Sequence, residues 1–248
     1  MKKIVCLFGV LALLVSCSNE ESYSDSSEPV LLKKQVITNS EGRFTISYQY
    51  DANKIISVTD DSGELNLFYT YTDDKITQID FKTPNGTVQQ VNTFAYNADG
   101  KLESFLKVQS ENVDGPILKT GYKEIYTYTG NDEISVQSFR GDAISQGLDA
   151  GTFLIKFKNG NVSEIGGVNA SNHKYVFDNK SNFSKNILGM DKIAFVGGES
   201  IGVYNNMISN TIAGEAVSSH SYVYNSGGYP IRSTDKENGE SYSSEYFY

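Results

Sequence analysis

The two histidines are the residues of this sequence with the most versatile chemistry. His173 and His220 are flanked by serine, asparagine or lysine, in segments with the character of strands or turns. Neither has a carboxylate at the spacing of a known motif, and the sequence contains no His-Glu-x-x-His pattern and no phosphate-binding loop. We therefore expect both histidines to be exposed to solvent, without a catalytic or metal-binding role.

Acidic residues are the second source of reactive groups. A glycosidase needs two carboxylates about 5–10 Å apart, and the candidates are Asp60-Asp61, Asp73-Asp74 and Asp191. The chain has 30 acidic residues, so the sequence does not single out a pair. The stretch Asn-Ala-Asp-Gly at 97–100 resembles the start of a calcium loop, but the bidentate glutamate is missing, which favours a hairpin turn. We predict no catalytic residue, no metal ligand and no cofactor.

The N-terminal segment predicts a lipid anchor. Lys2 and Lys3 precede an apolar run that is too short to span a bilayer as a helix. The run ends in Leu-Val-Ser-Cys, which resembles the bacterial lipobox, where the cysteine is lipidated and becomes the mature N-terminus. We predict a signal peptide over residues 1–16 and lipidation at Cys17; the alternative is an ordinary secretory signal with a chance cysteine. Cys6 leaves with the signal, so no disulfide is expected.

Residues 17–29 predict a flexible tether between the anchor and a folded domain. They are rich in serine, aspartate and glutamate, and they bury too little apolar area to offset the entropy of ordering the chain. Glu20 and Glu21 resemble the surface-export signal of lipoproteins in Bacteroides-type bacteria, although a plain hydrophilic spacer has the same composition. The predicted location is the outer membrane of a Gram-negative bacterium, on its periplasmic or cell-surface face.

Residues 30–248 repeat one hairpin unit, and the unit predicts the fold. An alternating strand ends in two aromatic residues at i and i+2, a turn of Asn, Asp and Gly follows, and an aliphatic strand returns. We predict an all-β domain, an antiparallel meander of repeated hairpins in a closed or nearly closed barrel of about 12–15 strands. The second aromatic positions are Tyr50, Tyr71, Tyr96, Tyr128, Phe157, Phe177 and Tyr224.

The aromatic pairs are predicted to serve packing. Rings at i and i+2 lie on one face of a sheet, and ladders of such pairs across neighbouring hairpins contribute about 0.2–1 kcal/mol per pair. The alternative is that some of the tyrosines also line a binding groove.

Two resemblances bear on the repeat. Residues 96–102, Tyr-Asn-Ala-Asp-Gly-Lys-Leu, resemble the YD or RHS repeat. The lipobox, the length and the repeated Tyr-x-Tyr-Asp/Asn hairpins make residues 30–248 resemble a family of Bacteroides-type lipoproteins of unknown function with a porin-like β-barrel. This resemblance implies a fold and a compartment, and it offers no catalytic residues to transfer.

The same alternation is also typical of an integral outer-membrane barrel. The chain ends in Glu-Tyr-Phe-Tyr, and an aromatic C-terminus resembles the signal that such barrels carry. A lipid anchor would be redundant in that case, and the polar residues Gln90, Asn92 and Glu124 interrupt the apolar stripes. We therefore expect a soluble, lipid-tethered barrel, with the integral barrel as the alternative.

Composition limits the choice of partners. The net charge of −9 disfavours nucleic acid. Tryptophan is absent, which weakens the case for a glycan, although tyrosine can also stack on sugars. We predict a non-enzymatic, lipid-anchored envelope protein that binds a ligand, with a glycan or a protein as candidate partners. The alternative is a structural spacer or an assembly component of an outer-membrane complex.

Overall fold

The protein is described by a computed structural model that covers residues 28–63, 65–112, 117–130, 132–167, 170–237 and 239–248. The predicted signal peptide, the lipidation site Cys17 and the tether up to residue 27 lie outside the described residues.

The described residues form sixteen β-strands and two short 3₁₀ helices, which confirms the all-β prediction. The strand number is one above the predicted range, because the short first strand carries no aromatic pair. The strands are β1 Lys34–Thr38, β2 Arg43–Asp51, β3 Lys54–Asp60, β4 Asn66–Thr72, β5 Lys75–Lys82, β6 Val88–Tyr96, β7 Leu102–Asn112, β8 Ile117–Tyr128, β9 Glu133–Asp142, β10 Leu148–Lys158, β11 Asn161–Gly167, β12 Ala170–Ser181, β13 Asn205–Ile212, β14 Glu215–Tyr224, β15 Pro230–Glu237 and β16 Glu240–Phe247.

The strands form a closed antiparallel barrel in sequence order. Each strand pairs with its neighbours in the chain, and β1 pairs with β16 so that Lys34 lies opposite Phe247. Closure removes the exposed sheet edges at which other chains could pair. The C-terminal aromatic segment, which resembles an outer-membrane signal, is therefore the closing strand of the barrel.

Most of the aromatic hairpins share one geometry, although β8–β9 pairs without a register shift. Tyr50 lies opposite Ile55 and Tyr96 lies opposite Leu102, and in both pairs the register shifts immediately before the tyrosine. This bulge lets the tyrosine and the first aliphatic residue of the return strand share the inner face of the barrel. Ile55 and Leu102 are both fully buried.

The turn at 97–100 is a hairpin turn, as expected. The Asn97 side-chain oxygen accepts hydrogen bonds from the backbone amides of Asp99 and Lys101, each at 3.0 Å. Gly100 has φ 71°, a left-handed conformation that glycine adopts at little cost. Asn225 holds the equivalent turn between β14 and β15 through the Tyr229 amide, at 3.0 Å.

The two ends of the barrel differ. The aromatic hairpins β2–β3, β4–β5, β6–β7, β8–β9, β10–β11 and β14–β15 turn at one end, which we call the tight-turn end. The long β12–β13 connection begins at the same end, and the opposite end, which we call the open end, carries the other connections, including those of β7–β8 and β9–β10. The aliphatic and aromatic core fills the lumen towards the tight-turn end.

Residues 182–204, between β12 and β13, enter the lumen from the tight-turn end, and we call them the plug. Its Phe195 ring packs edge-on against Tyr126 and Phe157, at centroid distances of 5.7 and 5.6 Å. Its Leu188 amide donates to the Asn53 carbonyl at 3.0 Å, on another side of the barrel. The plug therefore crosses and fills the lumen. Among the described residues, no helix is long and apolar enough to cross a membrane.

Candidate functional site

The repeated tyrosines lie in the wall of the core, where some of their hydroxyls bond the backbone of neighbouring strands or of the plug and others bond side chains, as Tyr224 does with Asp178. Tyr96 donates to the Ile76 carbonyl at 2.6 Å. Tyr71 accepts from the Ile55 amide at 3.2 Å and donates to the Leu188 carbonyl of the plug at 3.0 Å. Each ring thus buries apolar area while its hydroxyl satisfies a backbone group. These contacts assign Tyr71 and Tyr96 to packing, whereas Tyr48 and Tyr50 also line a cavity of about 910 Å³ at the tight-turn end.

The lumen opens at the other end into a polar cavity that we call the mouth. One part, of about 510 Å³, is lined by Lys107, Tyr122 and Arg140. An adjoining part, of about 200 Å³, shares Tyr122 and Arg140 and extends to His173. Gly197 of the plug lines both parts, so the plug forms the floor of the mouth.

The cationic side of the mouth follows from strand register. Lys107 of β7 lies opposite Tyr122 of β8, and Tyr122 lies opposite Arg140 of β9. Residues that pair across strands point to the same face, so the three side chains form a row on the inner wall. The Lys107 ammonium is 5.6 Å from the centre of the Tyr122 ring. Among the residues that the structure describes, neither cation has an ion-pair partner.

An apolar cavity of about 430 Å³ adjoins the mouth between β3–β6 and the plug. Its wall includes Leu67, Ile79, Phe81 and Phe94. Glu199 of the plug lines both this cavity and the smaller part of the mouth. The open end is therefore cationic on one side and apolar on another.

Glu124 lies directly beneath the mouth and is fully buried. It accepts hydrogen bonds from the Tyr122 hydroxyl at 2.8 Å, from the Tyr126 hydroxyl and from the Gly197 amide of the plug at 3.0 Å. Burial raises the pKa of Glu124 above that of an ordinary carboxyl, against the opposing effect of these hydrogen bonds. The carboxyl joins the floor of the mouth to the barrel wall.

We expect Glu124 to impose a pH dependence on stability. Its pKa is higher in the folded than in the unfolded protein, so the folded state holds the proton more tightly. The free energy of unfolding should therefore fall as the pH rises from the unfolded carboxyl range through the raised folded pKa. In Glu124→Gln this part of the fall should be absent, as measured by urea unfolding across that pH range. Glu103→Gln, an exposed acid on the neighbouring strand β7, is the control and should keep the wild-type profile. Parallel profiles for wild type and Glu124→Gln would contradict the assignment.

The expectation that both histidines are exposed and unsupported is wrong. His220 Nδ1 lies 2.7 Å from Asp235 Oδ1, and the two side chains are only 11% and 5% exposed. His173 is half-buried, with Nδ1 3.1 Å from the Asn210 side-chain oxygen. Asp235 faces His220 because β14 and β15 pair in that register. The alternation of inward and outward residues along β14 could have placed His220 on the lumen face. Its partner Asp235 is 15 residues away, so the contact could be predicted only with knowledge of the strand pairing.

The same cluster has the atoms of a nucleophilic triad. Ser218 Oγ is 3.1 Å from His220 Nε2, so a serine, a histidine and an aspartate follow one another. Asp235 also accepts from the Ser233 hydroxyl at 2.5 Å, and that hydroxyl is 3.1 Å from the Tyr246 hydroxyl. Ser218 is buried, and both parts of the mouth are lined by other residues. The arrangement acts as a satisfied polar network that joins β14, β15 and β16.

Sequence reasoning also overlooked a Gly-x-Ser-x-Gly pattern at 198–202. In hydrolases this pattern forms a nucleophile elbow between a strand and a helix. Here Ser200 follows the 3₁₀ helix Val196–Gly198 inside the plug, and no helix begins after it. The Ser200 hydroxyl is buried and accepts from the Gly202 amide at 3.4 Å. The pattern therefore lacks the context of an elbow.

The candidate glycosidase acids are not brought together. Asp60 ends β3 at the open end and Asp61 follows it, and both accept hydrogen bonds from backbone amides. Asp73 and Asp74 form the tight turn at the other end of β4, and Asp191 lies in the plug near the Tyr204 hydroxyl. Within the described part of the chain, no group of three or more His, Cys, Asp or Glu residues could hold a metal ion.

No family model and no curated protein matches the chain. Among solved structures, a porin-like protein from Bacteroides uniformis is 12% identical with a TM-score of 0.37, over 88% of this chain and 97% of that one. A DUF3836 family protein from Parabacteroides distasonis is 15% identical with a TM-score of 0.27, over 46% of this chain and 89% of that one. At sequence identities this low, the function of the chain has to be inferred from the residues of the mouth.

Proposed function

We propose that this protein is a non-enzymatic envelope barrel, anchored by lipid at Cys17, that binds a small polar ligand in the mouth. The observation that carries the proposal is the open polar cavity above the plug, with Lys107, Tyr122 and Arg140 in one row on its wall. Its two parts, about 510 and 200 Å³, together fall in the usual size range of small-molecule sites.

The plug favours binding over conduction. Phe195 and Met190 of the plug are buried in the same core cluster as the inward residues of the strands. Leu188 and Gly197 bond the Tyr71 hydroxyl and the Glu124 carboxyl of the wall. A ligand that enters the mouth therefore meets a floor tied to the barrel wall.

The outer face favours a tethered barrel over an integral one. Lys156 lies between the inward residues Ile155 and Phe157, so it points outward, and it pairs with Glu164 at 3.2 Å. Arg43 and Arg232 contact Glu245 on another part of the outer face, at 3.1 and 3.9 Å. Charged side chains on the lipid face of a barrel cost about 2–4 kcal/mol each near the bilayer midplane. An outer face with such ion pairs suits water.

A glycan fits the mouth as a partner, and a protein segment is the alternative. The Tyr122 ring offers an aromatic surface, and Ser138 and Glu199 offer hydrogen-bonding groups. The acidic chain as a whole repels nucleic acid. Tyr122 and Ser138 lie on the paired strands β8 and β9, and Glu199 lies on the plug.

We predict saturable binding without turnover. The purified protein is screened against polysaccharides, peptidoglycan fragments and chromogenic esters, with binding and product formation measured on the same samples. Tyr122→Ala removes one wall of the mouth and should abolish binding. Turnover that Ser218→Ala or Asp235→Asn eliminates would assign catalysis to the cluster on β14 and β15 and overturn the non-enzymatic proposal. The absence of binding by every class of probe would leave the spacer hypothesis.

A further inference from the structure

We infer that the ligand of the mouth carries an anionic group, a carboxylate or a phosphate, which binds between the Lys107 ammonium and the Arg140 guanidinium. This inference rests on the proposed function and names the chemical class of its ligand. It requires three properties of the site. The two cations must lack a carboxylate partner, one anion must be able to bridge the distance between them, and nearby carboxylates must not form ion pairs with them.

Lys107 and Arg140 line one cavity together. Acidic residues outnumber basic ones by 30 to 21, and several other basic side chains form ion pairs with carboxylates. Lys54, Lys82 and Lys156 each lie within 4 Å of an aspartate or glutamate oxygen. Across the described residues, the two cations of the mouth have no such contact. Two unpaired cations that line the same cavity favour an external anion.

The spacing of the two cations suits one small anion. β7 and β9 flank β8, and adjacent strands lie about 4.8 Å apart, so the two backbones are about 10 Å apart at this level. Both side chains are long, and each can extend over the Tyr122 ring that separates them. Arginine presents a planar fork to a carboxylate or phosphate, while lysine adds a mobile point charge.

Neither Glu124 nor Glu199 has a carboxyl oxygen within 4 Å of a Lys107 or Arg140 nitrogen, although the charge of Lys107 acts on the buried Glu124 carboxyl. Glu124 lies below Tyr122, and its carboxyl oxygens already accept hydrogen bonds from Tyr122, Tyr126 and Gly197. Glu199 of the plug is exposed and lines the smaller part, which Arg140, Ser138 and His173 also line. The mouth is thus polarised, with cations on β7 and β9 and a carboxylate on the plug. A ligand with an anionic group at one end and hydroxyl groups at the other matches both sides, as an acidic sugar does.

The test compares acidic and neutral probes of the same shape. Glucuronate and glucose are titrated into the full-length protein by calorimetry, together with galacturonate and N-acetylneuraminate. We expect at least one acidic sugar to bind about tenfold or more tightly than its neutral counterpart. Added salt should weaken the binding of the acidic sugar. Competition by inorganic phosphate would assign the site to compact anions in general, whereas lack of competition would assign it to carboxylates.

Variants of the two cations test whether these residues bind the anionic group. Arg140→Gln and Lys107→Gln should each weaken the acidic probe about tenfold or more, because each removes one charged hydrogen-bond donor. Lys123→Gln is the matched control, since Lys123 lies on the same strand as Tyr122 but between two inward residues, and it should leave binding unchanged. Circular dichroism and thermal unfolding confirm that each variant is folded.

The outcomes separate this inference from the proposed function. Equal binding of acidic and neutral sugars, lost in Tyr122→Ala but kept in Arg140→Gln, would overturn the anionic ligand and leave the mouth as a binding site. Preference for acidic probes that neither Arg140→Gln nor Lys107→Gln reduces would overturn the assigned residues. Binding of neutral probes alone would also overturn the inference. Binding of no probe, acidic or neutral, would overturn the inference and the proposed function together.

Discussion

Tyr96→Ala and Tyr71→Ala should each lower the free energy of unfolding by about 3–5 kcal/mol, the usual cost of truncating a buried aromatic side chain. Both rings pack against the buried core. The truncation also removes the hydroxyl that bonds the Ile76 carbonyl in one case and the Leu188 carbonyl in the other. Because Tyr71 holds the plug as well as the wall, its variant should also loosen residues 182–204, which hydrogen exchange can measure.

Two controls separate packing from the hydroxyl and from aromatic content. Tyr96→Phe keeps the ring and should cost only about 1–3 kcal/mol, because it leaves the Ile76 carbonyl without its donor. Phe68→Ala removes an aromatic from the outer face, where Phe68 is 38% exposed, and should cost clearly less than either tyrosine truncation. If Tyr71→Ala and Tyr96→Ala unfold like wild type, the rings are not part of the core, and the repeat has to be interpreted as a binding surface.

The hairpins could be predicted from the sequence because the residues of each unit determine its own strands and its own turn. An aromatic at i and i+2 fixes the inner face, and the Asn or Asp turn fixes where the strand reverses. The turn held by Asn97 shows both the predicted position and the predicted chemistry. Closure of the barrel was also predictable in outline, since a long meander that buries one face can avoid exposed edges by closing.

The plug could not be predicted, because its fold is set by the lumen that it fills. Residues 181–188 suggest at most a short helix, and the rest of the segment has no period. In the structure it has only two single-turn 3₁₀ helices, and contacts to β2, β4, β8 and β10 hold it in place. Those contacts join residues far apart in the sequence, so no local pattern contains them.

The mouth could not be predicted from the sequence for a related reason. Lys107, Tyr122 and Arg140 become neighbours only through the register of three strands. The polar residues Asn92 and Glu124, taken from the sequence as interruptions of apolar stripes, point into the lumen, where they are buried. Their polarity therefore does not distinguish a tethered barrel from an integral one. The ion pairs of the outer face, such as Lys156 with Glu164, are the observation that bears on that choice.

The proposed envelope location requires an attachment of the barrel to the membrane. We propose that the lipid on Cys17 is the attachment, since the outer face of the barrel carries ion pairs that a bilayer would have to desolvate. Each buried methylene of an acyl chain contributes about 0.8 kcal/mol to membrane binding, so loss of the lipidated cysteine removes the dominant attraction.

Cys17→Ser should therefore move the protein from the membrane fraction to the soluble fraction, as measured by fractionation and immunoblotting. Cys6→Ser is the matched control, because that cysteine lies within the predicted signal peptide and should leave the membrane association unchanged. Metabolic labelling with a fatty-acid analogue should mark the wild type and Cys6→Ser but not Cys17→Ser. Continued membrane association of Cys17→Ser after an alkaline carbonate wash would contradict the anchor. It would then favour an integral barrel whose outer ion pairs lie in the headgroup region, where charged side chains cost only about 0–1 kcal/mol.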